Sequence, residues 1–305
     1  FCSFPTPTRH THTHTYTHTH THSEDRHKYT PAHAHSGYPG KKKKSIKHSK
    51  GRIFFSSFIL SIKEDLVTLQ TLKRKFMVKK IFKIIRWVFA LAFISSILMV
   101  VAYRFIPVYF TPLMIGRCFE QMGKGESIKL YHHWISLDEM PKSMPVAVMA
   151  SEDQRFLTHH GFDYQAIEQA AEEHLKKGKK LRGGSTISQQ TAKNVFLWQG
   201  RSWLRKGLEV YFTFLIETLW GKQRIMEVYL NSIEMGDGIY GVQACAEQNF
   251  GMEAMQLNRR DCALIAATLP NPRRFSSKNP GPYMLKRVKQ IEHQMTFIPA
   301  FPEEH

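Results

Sequence analysis

Residues 143–163 read SMPVAVMASEDQRFLTHHGFD, and their first half decides the fold. Ser143 is a helix-capping residue type with Pro145 near the first turn, and PVAVMASED continues the helix from there. Val146, Ala147, Val148, Met149 and Ala150 make it apolar on every face, so the helix is expected to be buried among others. Glu152 then emerges at its carboxyl end, where apolar neighbours leave little room for water. A carboxylate so placed is a candidate general acid or base. From about Asp138 onward the pattern stays helical almost to the end of the chain.

Upstream of that helix, MVKKIFKIIRWVFALAFISSILMVVAYRFIPVYF begins at Met77. Residues 87–103 carry no charge, Gly or Pro, and at ~1.5 Å per residue they reach roughly 25 Å, enough for a short membrane span. Arg86 and Arg104 can snorkel from its ends, and Trp87 and Tyr103 fall at interfacial positions. Lys79, Lys80, Lys83 and Arg86 precede the span, so its amino-terminal end is expected in the cytoplasm and the domain after it across the membrane. No small-residue cleavage site follows, which favours an uncleaved anchor.

The 305 residues contain 43 Lys and Arg against 25 Asp and Glu. Residues 1–76 hold 14 of those basic and 4 of those acidic side chains, leaving 29 and 21 for the rest, so a uniformly basic nucleic-acid binder is disfavoured. THTHTYTHTHTH and KKKKSIKHSK lack the large apolar residues of a core, and residues 1–76 are expected to be a disordered, low-complexity extension. No Met precedes Met77, which makes Met77 the expected natural initiator and residues 1–76 an extension outside the natural chain. The expected divisions are residues 1–76, the basic flank and transmembrane helix at 77–106, a catalytic domain at 107–290 and a tail at 291–305. Cys2, Cys118, Cys245 and Cys262 have no zinc-ligand spacing, and Cys245 and Cys262 sit in apolar helical patterns as small core residues.

In GGSTISQQTAKN, residues 183–194, Gly183 and Gly184 supply a flexible loop, and Thr186 with Gln189 forms a capping box. Gln189, Gln190 and Lys193 lie within a turn of one another and offer amide and ammonium donors suited to an anion such as a pyrophosphate. Taken alone, a capped surface helix explains the motif equally well. A helix from about Trp203 to Trp220 carries Glu209, either a simple partner of Arg205 or a second active-site acid.

Glu152-Asp153-x-x-Phe156-x-x-His159-x-Gly161, GGSTISQQTAKN, RKGLE at 205–209, KQRIMEVYLN at 222–231 and LIAATLPNP at 264–272 follow in order. Here the chain resembles the glycosyltransferase family 51 domain, which polymerises lipid II into peptidoglycan glycan strands. The resemblance implies a mainly α, two-lobed, lysozyme-like domain preceded by one transmembrane helix. It also implies an inverting hexosyltransferase on the outer, periplasmic side of the inner membrane. Glu152 would be the base and Glu209 the second essential acid. Gln189, Gln190, Lys193 and Arg201 would bind the donor and its pyrophosphate. Asp153, Phe156, His159, Ser185, Thr186, Arg205, Glu227 and Asn231 would support them. A divalent cation, Mg or Mn, is expected near Glu209, and no organic cofactor. Expected partners are lipid II, the nascent strand, the bilayer and cell-wall synthesis or division proteins. No Ser-x-x-Lys occurs, so a transpeptidase module is not expected. Competing readings are a lysozyme-like hydrolase or lytic transglycosylase and a non-catalytic membrane scaffold.

Overall fold

The computed structural model describes residues 46–177 and 184–302. Two units are distinguished, one up to Met77 and one from Val78 onward. Within the first, residues 46–77 are helical and belong to helix α1, Ile46–Phe105. This corrects the expectation of disorder up to residue 76, because after Gly51 the run RIFFSSFILSIKEDLVTLQTLKRKF contains no Gly or Pro and is rich in helix formers. The disorder expected over residues 1–45 lies outside the described residues. The stretch Phe55–Phe105 is long and apolar enough to cross a membrane and is almost entirely exposed.

The second unit is built from helices α2 (Pro112–Gly123), α3 (Ser143–Glu152), α4 (Tyr164–Lys177), α5 (Ile187–Phe196), α6 (Trp203–Leu219), α7 (Lys222–Ser232), α8 (Val242–Cys245), α9 (Arg259–Thr268) and α10 (Pro282–Gln294). Three short strands join them: β1 (Tyr131–His132), β2 (Glu234–Gly236) and β3 (Ile239–Tyr240). Strand β3 is central, parallel to β1 and antiparallel to β2. Helix α3 is buried from Met144 to Ala150 as its composition requires, and it packs against α9 and α10. Ser143 is its first residue and does not cap it; the hydroxyl lies 3.2 Å from the Cys262 sulfur instead. Cys245 and Cys262 are both buried, and desolvation pushes each thiol up to about 11.

Helix α5 packs against α6 and α7, with Phe196 and Phe212 stacked at 4.6 Å between centroids. Trp220 is buried at the α6–α7 corner and its indole N–H donates to the Val100 carbonyl at 2.8 Å. Arg224 donates to the carbonyls of Tyr103 and Ile106, which satisfies the end of α1 that helical bonding leaves open. The carboxyl-terminal end of α1 is thereby fastened to α7. The expected tail at 291–305 is instead part of the packed domain as far as Pro302. Ile291 and Met295 are buried in the core, Ile298 packs against it, and Phe301 stacks on Phe156 at 6.4 Å.

Candidate active site

Glu152 is the last residue of α3, and the chain turns sharply at Asp153. The Gln190 side chain donates to Glu152 Oε2 at 3.0 Å, and the Ser151 hydroxyl lies 3.3 Å from Oε1. Gln190 is itself oriented from behind, since the buried Tyr229 hydroxyl donates to its amide oxygen at 3.2 Å. That leaves the amide nitrogen facing the carboxylate. Tyr229 was legible in the sequence only as a packing residue of E-x-Y-L-N.

Asp153 is buried and does structural work. Its carboxylate accepts from His159 Nε2 at 2.9 and 3.0 Å and from the Ile187 N–H at 3.0 Å, the first N–H of α5. A negative group there offsets the positive end of the helix dipole. His159 therefore anchors the loop that follows Glu152. Its carbonyl accepts from Lys222 Nζ at 2.6 Å, and that ammonium also pairs with Glu217 at 2.8 Å and sits 4.5 Å from the Phe156 ring centroid. Ser188 donates to the same Glu217 carboxylate. Ser188, Glu217 and Lys222 were not anticipated as supports. Gly161 closes the loop at φ +86°, where an added Cβ would meet Thr213 at 2.9 Å.

The capping box forms as expected. Thr186 accepts from the Gln189 N–H at 3.2 Å, and the Gln189 amide oxygen accepts from the Thr186 N–H at 3.0 Å. Thr186 also donates to the Gly161 carbonyl at 2.7 Å, tying α5 to the motif loop. The Gln189 side chain is buried in this cap, and of the two glutamines it is Gln190 that reaches Glu152.

Glu209 on α6 is only 3 % exposed, so its pairing is not the weak surface contact its spacing alone suggests. Arg205 donates to Oε2 at 3.4 Å and Lys206 to Oε1. Lys193 lies in the same field: burial lowers its pKa, Glu209 opposes that shift, Arg205 and Lys206 reinforce it, and Glu152 opposes it. Among the described residues its ammonium has no hydrogen-bond or ion-pair partner, so it is available to an incoming anion. Arg201 is exposed on the connection between α5 and α6, and no ion pair joins it to these groups among the described residues.

Glu227 and Asn231 face the 135–137 segment. Glu227 accepts from the Leu137 N–H at 3.3 Å and pairs with Arg224 at 2.5 Å. Asn231 bonds both the N–H and the carbonyl of Ile135, at 3.1 and 2.9 Å. The expected divalent cation does not fit Glu209, because cationic side chains occupy both carboxylate oxygens. No group of three His, Cys, Asp or Glu suited to a metal occurs among the described residues.

A cleft of about 440 Å³ opens beside Glu152, with Ser185 and Thr186 on one wall and Arg287 and Gln294 of α10 on another. The site thus combines a carboxylate at the end of a buried helix, an oriented amide and an unpaired ammonium near a second, cation-paired carboxylate. Comparison with known proteins identifies the family. A profile of the Transglycosylase family matches residues 120–296. A biosynthetic peptidoglycan transglycosylase of Bacteroides thetaiotaomicron is 56% identical over 225 residues, covering 74% of this chain and 90% of that protein. Proteins of the same description from Xanthomonas campestris pv. campestris and Pseudomonas aeruginosa are 50% and 48% identical, over 69% and 71% of this chain and 87% and 91% of theirs. The matched residues include every element that builds the cleft, their helical domain has the lysozyme-like glycosyltransferase fold, and the chain belongs to the transglycosylase family.

Proposed function

We propose that the cleft joins a growing glycan strand, as donor on its lipid pyrophosphate, to lipid II as acceptor. The chain is a peptidoglycan glycosyltransferase. In the proposed step, Glu152 removes the proton from the acceptor's 4-hydroxyl while that oxygen attacks the donor's anomeric carbon. The new C–O bond forms with inversion as the bond from the anomeric carbon to the phosphate oxygen breaks. The pyrophosphate leaves with the electron pair.

Gln190 holds Glu152 Oε2, so the carboxylate keeps one orientation through the step. Lys193 meets the charge that develops on the leaving group, and Arg201 joins it from the neighbouring loop. Arg205 and Lys206 balance Glu209, so that a buried carboxylate can stand near Lys193 without pairing with it. Glu209 thus tunes the cationic site.

The apolar surface supports a bilayer-level site for lipid-linked substrates. Tyr211 of α6 lies 2.9 Å from the Ser96 hydroxyl within the apolar run of α1, and its ring is 5.9 Å from Phe93. Trp203 at the start of α6 is 94% exposed, and Leu204, Phe214 and Phe119 are also exposed. Large apolar groups left exposed to this extent fit immersion in lipid. The basic residues before the span would keep that end cytoplasmic and place the domain on the outer side of the inner membrane.

The observation that carries the reading is the Glu152–Gln190 contact with an unpaired Lys193 a turn away. Cleaving a neutral glycosidic bond needs no such cation. The test is to offer the protein fluorescent lipid II and, separately, finished glycan. Growth of long chains is expected; shortening of the finished polymer without growth would overturn the reading in favour of a hydrolase.

A further inference from the structure

The cleft beside Glu152 extends to α10, a helix outside the motifs that led to the reaction. Arg287 and Gln294 are seven residues apart, two turns along one face of α10, and both line the cleft. Arg287 Nη2 donates to the Ser151 carbonyl at 3.2 Å and lies 3.5 Å from the Ser151 hydroxyl. A guanidinium has five N–H donors on three nitrogens, and these contacts engage only Nη2. Among the described residues no acid pairs with Arg287. Arg155 on the same wall is different, being matched by Asp163. Gln294 brings an amide oxygen that is buried and lacks a partner among the described residues. An unmatched cation and an unmatched acceptor on one cleft wall call for a ligand that supplies both counterparts.

Their position relative to Glu152 says which ligand. Glu152 Oε2 faces Gln190, one turn from Lys193, whereas Oε1 faces the Ser151 hydroxyl that Arg287 approaches. The base therefore stands between two cationic places. Leaving-group charge develops on the Lys193 side, so the substrate that gives up a proton to Glu152 extends along the other.

We infer that Arg287 is a specificity-determining residue for the acceptor: it binds an oxyanion of the incoming lipid-linked disaccharide while Gln294 accepts an N–H or O–H from its sugars. The oxyanion is the acceptor's pyrophosphate or its peptide carboxylate, which a guanidinium fork binds by the same geometry. This inference rests on the glycosyltransferase reading.

The test uses the full chain in lipid vesicles, with a lipid-linked tetrasaccharide as saturating donor and lipid II varied as acceptor. Arg287→Gln is expected to raise the KM for lipid II about tenfold, with kcat within about twofold and the KM for the donor unchanged. Arg287→Lys restores part of the loss. A peptide-free lipid-linked disaccharide separates the two sources. If the substitution costs nothing with that acceptor, the peptide carboxylate is the ligand; if the cost persists, the pyrophosphate is.

An unchanged KM overturns the inference, as does a fall in kcat alone, which would mean that Arg287 only braces the end of α3. Should Arg287→Gln fail to fold, Gln294→Ala carries the test, with a rise of about threefold in the same KM expected and no change refuting it. A wild-type protein that makes no polymer would instead refute the glycosyltransferase reading itself. An active wild type with an indifferent Arg287 refutes this inference alone.

Discussion

Replacing Tyr229 by Phe removes one hydroxyl from a side chain with no solvent exposure and leaves its ring packing in place. That hydroxyl donates to the Gln190 amide oxygen at 3.2 Å, and Gln190 in turn donates to Glu152 at 3.0 Å. Losing the first bond alone costs about 0.5–1.5 kcal/mol, a drop of about 2–4 °C in melting temperature for each kcal/mol in a domain of this size. The larger effect falls on activity. Without the hydroxyl nothing distinguishes the two ends of the amide from behind, and a flipped Gln190 presents an oxygen to the carboxylate. The bond at stake has a charged acceptor and contributes about 1.5–3 kcal/mol, so losing it even partly lowers kcat/KM about tenfold. Continuous fluorescence of labelled lipid II gives the rate, and thermal melting gives the stability. The route through Gln190 is tested in a Gln190→Ala background, where Tyr229→Phe should have little further effect. An unchanged kcat/KM, or losses that simply add, would refute the relay.

Three further outcomes are expected from the same geometry. Burial lowers the Lys193 pKa below the ordinary 10.5, so kcat/KM should be full while the ammonium is charged and fall as pH rises through a value below 10.5; Lys193→Arg should move that limb to higher pH, and a limb that stays put would contradict the assignment. Mn titrated into substrate-free protein and followed by electron paramagnetic resonance should show no saturable site that Glu209→Gln removes; such a site would contradict the cation-paired description of Glu209. Phe301→Ala should cost about 1–2 kcal/mol by unstacking Phe156, lowering the melting temperature by about 2–8 °C, whereas no change would mean that the residues after α10 do not stabilise the domain.

What could be read from the residues was mostly local. The all-apolar α3 with Glu152 at its end, the Thr186–Gln189 cap and the limits of α6 each depend on signals within a few turns. Burial periodicity and capping chemistry act over that range. Contacts between distant segments were not legible. Arg287 meets Ser151 across 136 residues, Tyr229 meets Gln190 across 39, and β1 pairs with β3 although residues 131 and 239 show no strand pattern beyond two residues each. Glu209 was ambiguous for a related reason, since spacing placed it beside Arg205 but could not show that Glu209 is buried. The boundaries failed where composition misled. Histidine and lysine runs masked the run of helix formers after Gly51, and two prolines hid the stripe of Ile291, Met295, Ile298 and Phe301.

In the proposed step catalysis depends most on Glu152 acting as the base. The direct measurement is the rate of lipid II polymerisation in vesicles by the full chain and by Glu152→Gln, with products resolved by length. The substitution keeps size and the possibility of bonding to Gln190 but removes proton acceptance, so the rate should fall by at least about a hundredfold while labelled lipid II still binds. Polymerisation by Glu152→Gln within a few-fold of the wild-type rate would contradict the mechanism.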